Sequence, residues 1–351
     1  MKKSVWIFLV MLLVSSCALA ADKPNIAILA TGGTIAGAGT TASSNAYTAG
    51  EVSINSLVAG VPGIDQLANL KFDQVANIPS QDMNDEVWLK IANDAQKYLD
   101  DSSIDGIVIT HGTDTLEETA FFLNLVLRTN KPVVVVGSMR PSTAMSADGP
   151  INLYNAVAVA ASKKASGLGV LVVMNDRIYD ARDVTKTNTS TVDTFMAPNT
   201  GAIGYVDFGK IRIYKQPLRK HTASSEFYIK DIKSLPKVDI VYEYEGGAAD
   251  VITAVAKNRN IKGIVVAGVG DGNLFKADFA QLSEARSRGI AVVMSSRTGS
   301  GDVWKNSEMQ DDKLQFNTAD DLNPAKARVL LRLLLTKTND YAKIAEAFAT
   351  Y

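Results

Sequence analysis

The feature that most constrains the fold of this chain is a series of short apolar runs separated by segments with helical spacing. Each run has the length of a buried strand. The runs cover residues 26–30, 107–110, 132–136, 170–174, 238–242, 263–267 and 290–294. Strands that alternate with helices favour parallel sheets with helices packed on their faces. We therefore predict an α/β protein with mostly parallel sheets.

Start signals and apolar spacing place several of the intervening helices. Thr115, followed three residues later by Glu118, predicts a capping box for a helix over residues 116–128. Pro150 fits the first turn of another helix, and Asn323 before Pro324 fits the start of the last long one. A further helix is predicted where one apolar stripe contains Trp88, Ile91, Ala92, Ala95, Tyr98 and Leu99.

The length of the chain favours two domains. A chain of 351 residues is long enough to bury a large core and exceeds the usual size of one domain. The stretch from about residue 207 to 237 is polar and irregular, so we interpret it as a linker. The predicted organisation is a larger N-terminal domain (21–214), a linker (215–236) and a smaller C-terminal domain (237–351).

The amino terminus has the parts of a secretory signal peptide. Lys2 and Lys3 precede an apolar run over residues 5–14, and residues 18–20 form a small-residue cleavage box. The apolar run is too short to span a bilayer comfortably. We predict a signal peptide over residues 1–20, cleaved after Ala20, and a periplasmic protein without a transmembrane segment. Lipid attachment at Cys17 is the alternative, because residues 14–17 resemble a lipoprotein box.

Composition excludes several classes of chemistry. The 36 basic and 37 acidic residues give a formal net charge of −1, which does not favour a nucleic-acid partner. Only two histidines and one cysteine are present, which argues against a histidine-based triad, a cysteine nucleophile, a zinc site and an intramolecular disulfide. We expect neither a metal ion nor a cofactor.

Two strand ends open into similar loops that carry threonine. Residues 26–31 lead into Gly32 and Gly33 and then Thr34, and residues 107–110 lead through His111 and Gly112 to Thr113 and Asp114. Open α/β sheets place their ligands at the carboxyl ends of strands. A hydroxyl after the glycines, without the Lys-Ser pair of a phosphate loop, favours a nucleophile over a nucleotide site. Two such loops predict one shared pocket.

A threonine nucleophile needs help at neutral pH, because its hydroxyl is weakly nucleophilic on its own. With histidine nearly absent, a lysine with a neighbouring carboxylate is the natural activator, and Lys186 follows the strand at 170–174. The alternatives at this level are ordinary ones. A threonine in such a loop is usually a turn residue, a lysine in a polar loop is usually a solvated charge, and His111 is more often structural than a base.

The loop sequences resemble those of the bacterial L-asparaginases, specifically the exported type II group. The resembling segments are residues 30–37, 80–85, 109–115, 137–142, 183–189 and 322–328, and the likeness extends from about residue 25 to 351. The resemblance implies an amidohydrolase that converts L-asparagine to L-aspartate and ammonia through a threonine-bound acyl-enzyme, with L-glutamine as a secondary substrate.

The resemblance also assigns the catalytic residues. Thr34 matches the acylated nucleophile, and Tyr47 matches the tyrosine of a lid that closes over it. Thr113, Asp114 and Lys186 match a second hydroxyl–carboxylate–lysine set.

Substrate-binding roles and assembly follow from the same resemblance. Ser80, Gln81 and Asp114, beside Thr113, match residues that hold the substrate's α-carboxylate and α-ammonium groups. Glu308 matches a catalytic glutamate contributed by a neighbouring subunit, which implies a homotetramer of intimate dimers with shared sites. Pro79 stands where relatives commonly have Gly or Ala. Asp271 stands where close relatives have Asn, so we place it near the substrate's ammonium group.

Two other classes share parts of this pattern. A periplasmic binding protein is also exported and two-domain, but it does not need a Thr–Lys–Asp set. A cytosolic-type amidohydrolase, or the amidotransferase subunit that acts on aminoacyl-tRNA, shares the two threonine signatures. The export signal and the near-zero net charge argue against the latter two. Release of ammonia from a free amino acid amide distinguishes these classes.

Overall fold

The structure of the protein is a computed structural model that describes residues 23–39, 41, 47–48 and 50–351. The predicted signal peptide and Cys17 lie outside the described residues. The strands of this part are β1 (Asn25–Gly32), β2 (Ala38–Gly39), β3 (Tyr47–Thr48), β4 (Asn69–Ile78), β5 (Gly106–Thr110), β6 (Val133–Val136), β7 (Val170–Met174), β8 (Arg177–Asp180), β9 (Thr185–Lys186), β10 (Phe195–Met196), β11 (Gly204–Asp207), β12 (Lys210–Ile213), β13 (Lys237–Tyr242), β14 (Ile261–Gly268), β15 (Ala291–Ser296) and β16 (Asn317–Thr318).

Helices connect most of these strands. They are α1 (Ile54–Ala59), α2 (Ile64–Leu67), α3 (Asp85–Asp100), α4 (Leu116–Val126), α5 (Gly149–Ala160), α6 (Ala249–Lys257), α7 (Asp278–Ser287), α8 (Asp311–Leu314), α9 (Pro324–Leu334) and α10 (Tyr341–Thr350). Within the described residues, no helix is long and apolar enough to cross a membrane.

The N-terminal domain is built on an eight-stranded sheet of order β12-β11-β8-β7-β6-β5-β1-β4. Strands β4, β1, β5, β6 and β7 run parallel, and β8, β11 and β12 extend the sheet in antiparallel fashion. Every residue of β5, β6 and β7 is buried, so both faces of the sheet are covered. Helices α3 and α4 pack together, and α5 packs against β5, β6 and β7.

The C-terminal domain has a smaller, fully parallel sheet of order β13-β14-β15-β16. Helix α9 lies against β13, β14 and β15 and also packs on α4 of the N-terminal domain. The predicted fold class is therefore confirmed: two α/β domains with mostly parallel sheets, the first larger than the second. The helix that joins them begins as predicted, because the Asn323 side chain caps it and Pro324 is its first residue.

The predicted capping box at Thr115 is wrong. Helix α4 has no side-chain cap, because the Thr115 hydroxyl donates instead to the Ser80 carbonyl oxygen at 2.8 Å. Glu118 lies 3.9 Å from the guanidinium of Arg328 on α9. Both side chains of the expected local motif are thus engaged by distant parts of the chain, and the helix ends at Val126.

The stretch that we interpreted as a linker contains more structure than its composition suggested. It begins with β12, and further along it buries Phe227 and Ile229. The Ser225 hydroxyl donates to the Leu125 carbonyl oxygen, and the Glu226 amide donates to the Tyr351 hydroxyl at 2.7 Å. These contacts fasten the segment to α4 and to the last residue of the chain.

Two carboxyl groups are buried together in the C-terminal domain. Glu243 follows β13, Asp278 begins α7, and their exposed fractions are 1% and 0%. The Ala248 amide donates to Asp278 Oδ2 at 2.7 Å, and no cation pairs with either carboxyl among the described residues. A proton on one carboxyl supplies a hydrogen bond between them, and burial, together with Asp278, raises the pKa of Glu243 to about 7.

Because Glu243 and Asp278 share a proton, we predict that the protein loses stability as pH rises. The folded-state pKa of Glu243 lies above its ordinary value of 4.5, so the stabilisation is complete below that value and is lost as pH rises through about 7. At a pH well above 7, the free energy of unfolding is lower on this account by a value on the order of 3 kcal/mol. We expect Glu243→Gln to raise Tm by several degrees at pH 8 and to leave it nearly unchanged at pH 5. The exposed neighbour Glu245 provides the control, since Glu245→Gln should leave both values unchanged. Equal effects at both pH values would contradict the shared proton.

Candidate active site

Two glycine loops meet at the carboxyl edge of the large sheet. Strands β1 and β5 are adjacent and parallel, so the loops that follow them lie side by side. Gly32 and Gly33 have φ angles of 102° and 80°, and a Cβ on Gly33 would lie 2.4 Å from the Gly112 Cα. Side chains are therefore excluded from this contact, and glycine is required for the two loops to touch. Thr34 and Thr113 each follow the touching glycine of their own loop.

Thr34 lies in the wall of a cavity of about 480 Å³. Its exposed fraction is 7%, and it begins a short 3₁₀ turn, Thr34–Ala36. The cavity is lined by Gly33, Thr34, Thr48, Pro79, Ser80, Gln81, Gly112 and Asp114. Four of the residues selected from the sequence therefore line one cavity.

Lys186 connects the two members of the second loop. Its Nζ donates to Thr113 Oγ1 at 2.9 Å and to Asp114 Oδ1 at 2.6 Å. The lysine side chain is only 17% exposed, whereas that of Asp114 is 57% exposed. The ordinary interpretation of Lys186 as a solvated surface charge is therefore wrong. Its ammonium group lies between a hydroxyl oxygen and a carboxylate of the loop whose Gly112 touches Gly33.

Ser80 is attached to the second loop through both its side chain and its backbone. Its Oγ accepts from the Asp114 amide at 3.1 Å, and its carbonyl oxygen accepts from the Thr115 hydroxyl at 2.8 Å. A Cβ on Gly112 would lie 2.6 Å from Ser80 Oγ, so this approach also requires glycine. Gln81 is exposed and follows Ser80 in the 3₁₀ turn Ser80–Asp82. The turn thus presents two polar side chains to the cavity.

His111 supports the loop from behind. It is fully buried, and its Nδ1 lies 2.7 Å from the Gly112 carbonyl oxygen. Burial lowers its pKa to about 4, so the ring is neutral at physiological pH. With the proton on Nδ1, Nε2 is left as an acceptor without a partner among the described residues. His111 is structural, as expected, but it is not fully satisfied.

Asp271 and Glu308 are not among the described residues that line the Thr34 cavity of the same chain. Asp271 accepts from the Trp304 amide at 2.8 Å and from the Ser307 hydroxyl at 2.7 Å. Its carboxylate thereby holds the loop that carries Glu308, whose side chain is exposed. For Tyr47, the backbone pairs with Gly39 in a small antiparallel ribbon, while its side chain lies outside the described part of the structure.

A cluster of acidic side chains elsewhere has the spacing of metal ligands. Oxygen atoms of Asp302, Asp320 and Asp321 lie within 4.8 Å of one another. Two arginines already neutralise part of this charge, because Arg182 pairs with Asp321 at 2.6 Å and Arg219 pairs with Asp320. The cluster is therefore accounted for by ion pairs, and it is not adjacent to Thr34 in the cavity described above.

Sequence reasoning missed the residues behind Lys186. Glu117, on the first turn of α4, accepts a hydrogen bond from the Lys186 amide, and Asn323 of α9 contacts Glu117 in turn. A carboxylate three residues after Asp114 was the available signal. It was indistinguishable in the sequence from the acidic residues that commonly begin a helix.

The fold and the site together define the class of this protein. It is a two-domain α/β protein in which two glycine-bounded threonine loops meet a lysine and a carboxylate at the carboxyl edge of a parallel sheet. The sequence profile described as "Asparaginase, N-terminal" matches residues 25–219, and the profile described as "Glutaminase/Asparaginase C-terminal domain" matches residues 237–348.

Similar proteins span nearly the whole chain. "L-asparaginase 2" of Escherichia coli (strain K12) is 52% identical over 328 residues, which are 93% of this chain and 93% of that protein. "Probable L-asparaginase periplasmic" of Haemophilus influenzae is 50% identical over 336 residues, 96% of this chain and 95% of that protein. The solved structure described as "Crystal Structure of Probable Cytoplasmic L-asparaginase from Campylobacter jejuni" is 48% identical, with a TM-score of 0.90, and covers 94% of this chain and 100% of that chain. The chain belongs to the asparaginase family.

Proposed function

We propose that this protein hydrolyses L-asparagine to L-aspartate and ammonia, with L-glutamine as a secondary substrate. The observation that carries the proposal is the contact of Lys186 with Thr113 and Asp114, directly beside the loop of Thr34. Membership of the asparaginase family supports the substrate, and the family description that names glutaminase supports the secondary one.

The proposed reaction has two steps through an ester on Thr34. In the first, Thr34 Oγ bonds to the side-chain amide carbon of the substrate, the carbon–nitrogen bond breaks, and the hydroxyl proton leaves with ammonia. In the second, water bonds to the same carbon, the ester bond breaks, and Thr34 regains a proton. Lys186, which contacts both Thr113 and Asp114, supplies a positive charge near the reacting groups, and Asp114 supplies the negative charge that pairs with it.

Backbone amides of the glycine loops are proposed to stabilise the oxyanion that each step creates. The Gly33 amide is excluded from this role, because it donates to the Ile78 carbonyl oxygen at 3.2 Å. The donors must therefore come from other amides of the two loops or from the Thr113 hydroxyl. This arrangement would place the developing charge between Thr34 and the second loop.

Besides the nucleophile and the oxyanion donors, the site needs groups that bind the charged α-carboxylate and α-ammonium of the substrate. We propose that Ser80, Gln81, Thr113 and Asp114 hold the α-carboxylate and α-ammonium groups, which would position the side-chain amide beside Thr34. Ser80, Gln81 and Asp114 line the cavity, as does Thr48, the neighbour of Tyr47. The tyrosine is accordingly proposed as part of a lid over the same cavity.

Ammonia release by the protein that begins at Ala21 is the direct test. We expect turnover of L-asparagine, slower turnover of L-glutamine, and little turnover of N-acetyl-L-asparagine, which lacks the ammonium group. Binding of asparagine without ammonia release would instead indicate a binding protein. Turnover that requires a nucleic-acid substrate would indicate an amidotransferase.

We also propose that each site is completed by a neighbouring subunit in a homotetramer of intimate dimers. Glu308 is exposed, Asp271 binds the loop that carries it, and neither is among the described residues that line the Thr34 cavity of the same chain. A second copy would bring both residues to the cavity, with Asp271 near the substrate's ammonium group. The expected solution mass is that of four chains.

Mixing two inactive variants tests the shared site. Neither Thr34→Ala nor Glu308→Ala should turn over asparagine efficiently alone. After subunit exchange, each hybrid dimer should contain one site of two with both residues intact. About half of the wild-type activity should therefore return per hybrid dimer, and about a quarter in a statistical mixture of dimers. A Thr34→Ala chain mixed with a Lys186→Met chain provides the control for exchange without complementation, because both changes affect the chain's own site and no hybrid then contains an intact one. Demonstrated exchange without recovery would place Glu308 in its own chain's site or outside it.

The proposed location is the periplasm, after cleavage following Ala20, with lipid attachment at Cys17 as the alternative. The Haemophilus relative is named as periplasmic, which supports export, whereas the Campylobacter structure is named as that of a cytoplasmic protein. We further propose domain limits of 21–214 and 237–351 around the 215–236 linker. The mass of the mature protein from a membrane-free periplasmic extract tests cleavage and lipidation together.

A further inference from the structure

The backbone of Lys186 is held by a buried carboxylate that the proposed reaction does not use. Glu117 is 8% exposed and lies on the first turn of α4. Its Oε2 accepts from the Lys186 amide at 2.5 Å and from the Thr185 hydroxyl at 2.7 Å. One turn earlier, Thr113 and Asp114 bind the other end of the same lysine through Nζ. Residues 113–117 therefore fix Lys186 both at its backbone amide and at the end of its side chain.

The strand that carries Lys186 is too short to fix its position alone. Strand β9 contains only two residues, and it pairs with the equally short β10. A strand of this length has little stability of its own in water. The charge-assisted hydrogen bonds to Glu117 supply a second fixed contact for this backbone.

The remaining oxygen of Glu117 is bound by the C-terminal domain. Asn323 Nδ2 donates to Glu117 Oε1 at 2.8 Å. The orientation of this amide is set by its other half, because Asn323 Oδ1 accepts from the Lys326 amide at 2.9 Å and caps α9. The Asn323 side chain therefore presents its NH₂ group to Glu117 for as long as α9 is capped.

A buried lysine on α9 reinforces the same connection. Lys326 Nζ donates to the carbonyl oxygens of Arg182 and Val184, just before Thr185. Burial lowers the pKa of Lys326, and the negative charge of Glu117 opposes this effect. Helix α9 thus contacts the lysine-bearing segment directly at its backbone and indirectly through Glu117.

We propose that Glu117 is a positioning residue for Lys186, and that Asn323 couples it to the C-terminal domain of the same chain. The inference rests on the proposed function, because it assigns Glu117 an effect on turnover through Lys186. The second domain then has two roles in catalysis. It contributes Glu308 to a neighbour's site, and through α9 it holds the lysine of its own.

An isosteric exchange of charge across the Glu117–Asn323 contact tests this proposal. In Glu117→Gln, the carbonyl oxygen can still accept from Lys186 and Thr185, but its NH₂ then faces the NH₂ of Asn323. In Asn323→Asp, two carboxylates face each other. In the double variant, a donor faces an acceptor again, the net charge is restored, and an aspartate can still cap α9.

We expect each single variant to lower kcat by about 10- to 100-fold, because small displacements of a catalytic group have effects of this size. KM should change less than about threefold, since Ser80 and Gln81, which bind substrate, are not altered. The kcat of the double variant should be at least about tenfold higher than that of either single variant. Glu118→Gln is the matched control, because Glu118 lies beside Arg328 and should leave kcat unchanged.

A double-mutant cycle separates positioning from general stability. In a Lys186→Met background, Glu117→Gln should change the residual rate by less than about twofold, because the group it positions is gone. If Glu117 had a purely structural role, Glu117→Gln would lower the rate by the same factor in the wild-type and in the Lys186→Met background. Hydrogen exchange at the Lys186 amide provides a readout without turnover. It should become faster in Glu117→Gln and slow again in the double variant.

Three outcomes would overturn the inference while leaving the proposed function intact: a Glu117→Gln kcat within twofold of wild type, a loss that Asn323→Asp does not recover, or equal losses with and without Lys186. If Glu117→Gln does not fold, Asn323→Asp perturbs the same contact. A kcat of Asn323→Asp within twofold of wild type would then overturn the inference. A wild type that releases no ammonia would overturn the proposed function instead. In that case the hydrogen-exchange result alone decides whether Glu117 fixes the Lys186 backbone.

Discussion

Replacing Thr34 with alanine is expected to lower kcat for L-asparagine by about four orders of magnitude or more, the largest effect of any single change in this chain. The physical reason is that the acyl group has no oxygen to bond to, while the backbone of the glycine loop is retained. Substrate binding should persist, because Ser80, Gln81 and Asp114 line the cavity independently of the Thr34 hydroxyl. Steady-state ammonia release and calorimetric titration with L-asparagine measure the two quantities separately.

Thr34→Ser is the matched control for this prediction. Serine keeps the hydroxyl and removes only a methyl group from a nearly buried position, so a substantial fraction of the activity should remain. Mass spectrometry of the wild type after rapid acid quenching should show a β-aspartyl adduct that is absent from Thr34→Ala. Wild-type rates in Thr34→Ala would remove Thr34 from the role of nucleophile.

Lys186→Met is expected to produce the second largest loss, about three orders of magnitude in kcat. Methionine keeps an unbranched apolar stem at this largely buried position but removes the ammonium group that contacts both Thr113 and Asp114. Asp114 then loses its ion-pair partner, and the Thr113 hydroxyl loses its donor. Ammonia release at saturating substrate, with Tm as the measure of folding, tests the prediction.

Two comparison variants make the Lys186 result interpretable. Thr113→Val keeps the shape of the side chain without the hydroxyl, so it should be nearly as damaging as Lys186→Met. The exposed Lys163 provides a lysine with no role in the site, and Lys163→Met should retain full activity. Full activity in Lys186→Met would show that the lysine contributes only to the structure of the second loop.

The sequence was sufficient for the architecture wherever the signal was local. Apolar runs of strand length over residues 107–110, 132–136 and 170–174 became β5, β6 and β7, because strands covered on both faces must be apolar at every position. The start of α9 at Asn323 and Pro324 was likewise predictable, since a helix cap involves only neighbouring residues. Loop sequences also directed attention to Thr34, Thr113 and Lys186.

Local signals failed where side chains had distant partners. Thr115 and Glu118 have the spacing of a capping box, yet Thr115 binds the backbone of Ser80, and Glu118 lies beside Arg328. A capping motif is worth about 1 kcal/mol, so a single tertiary hydrogen bond of similar strength is enough to replace it. No pattern within a short window contains the competing partner.

By itself, the sequence determined the α/β class, the two glycine loops and the residue types that can carry amide hydrolysis. The tertiary structure alone decided which of those residues meet. Lys186 reaches Asp114 across 72 positions of the chain, and Asn323 reaches Glu117 across 206. The physical reason is that parallel strands bring their carboxyl ends to one edge whatever the length of the connections between them. Helix packing then adds contacts from the second domain that no spacing in the sequence records.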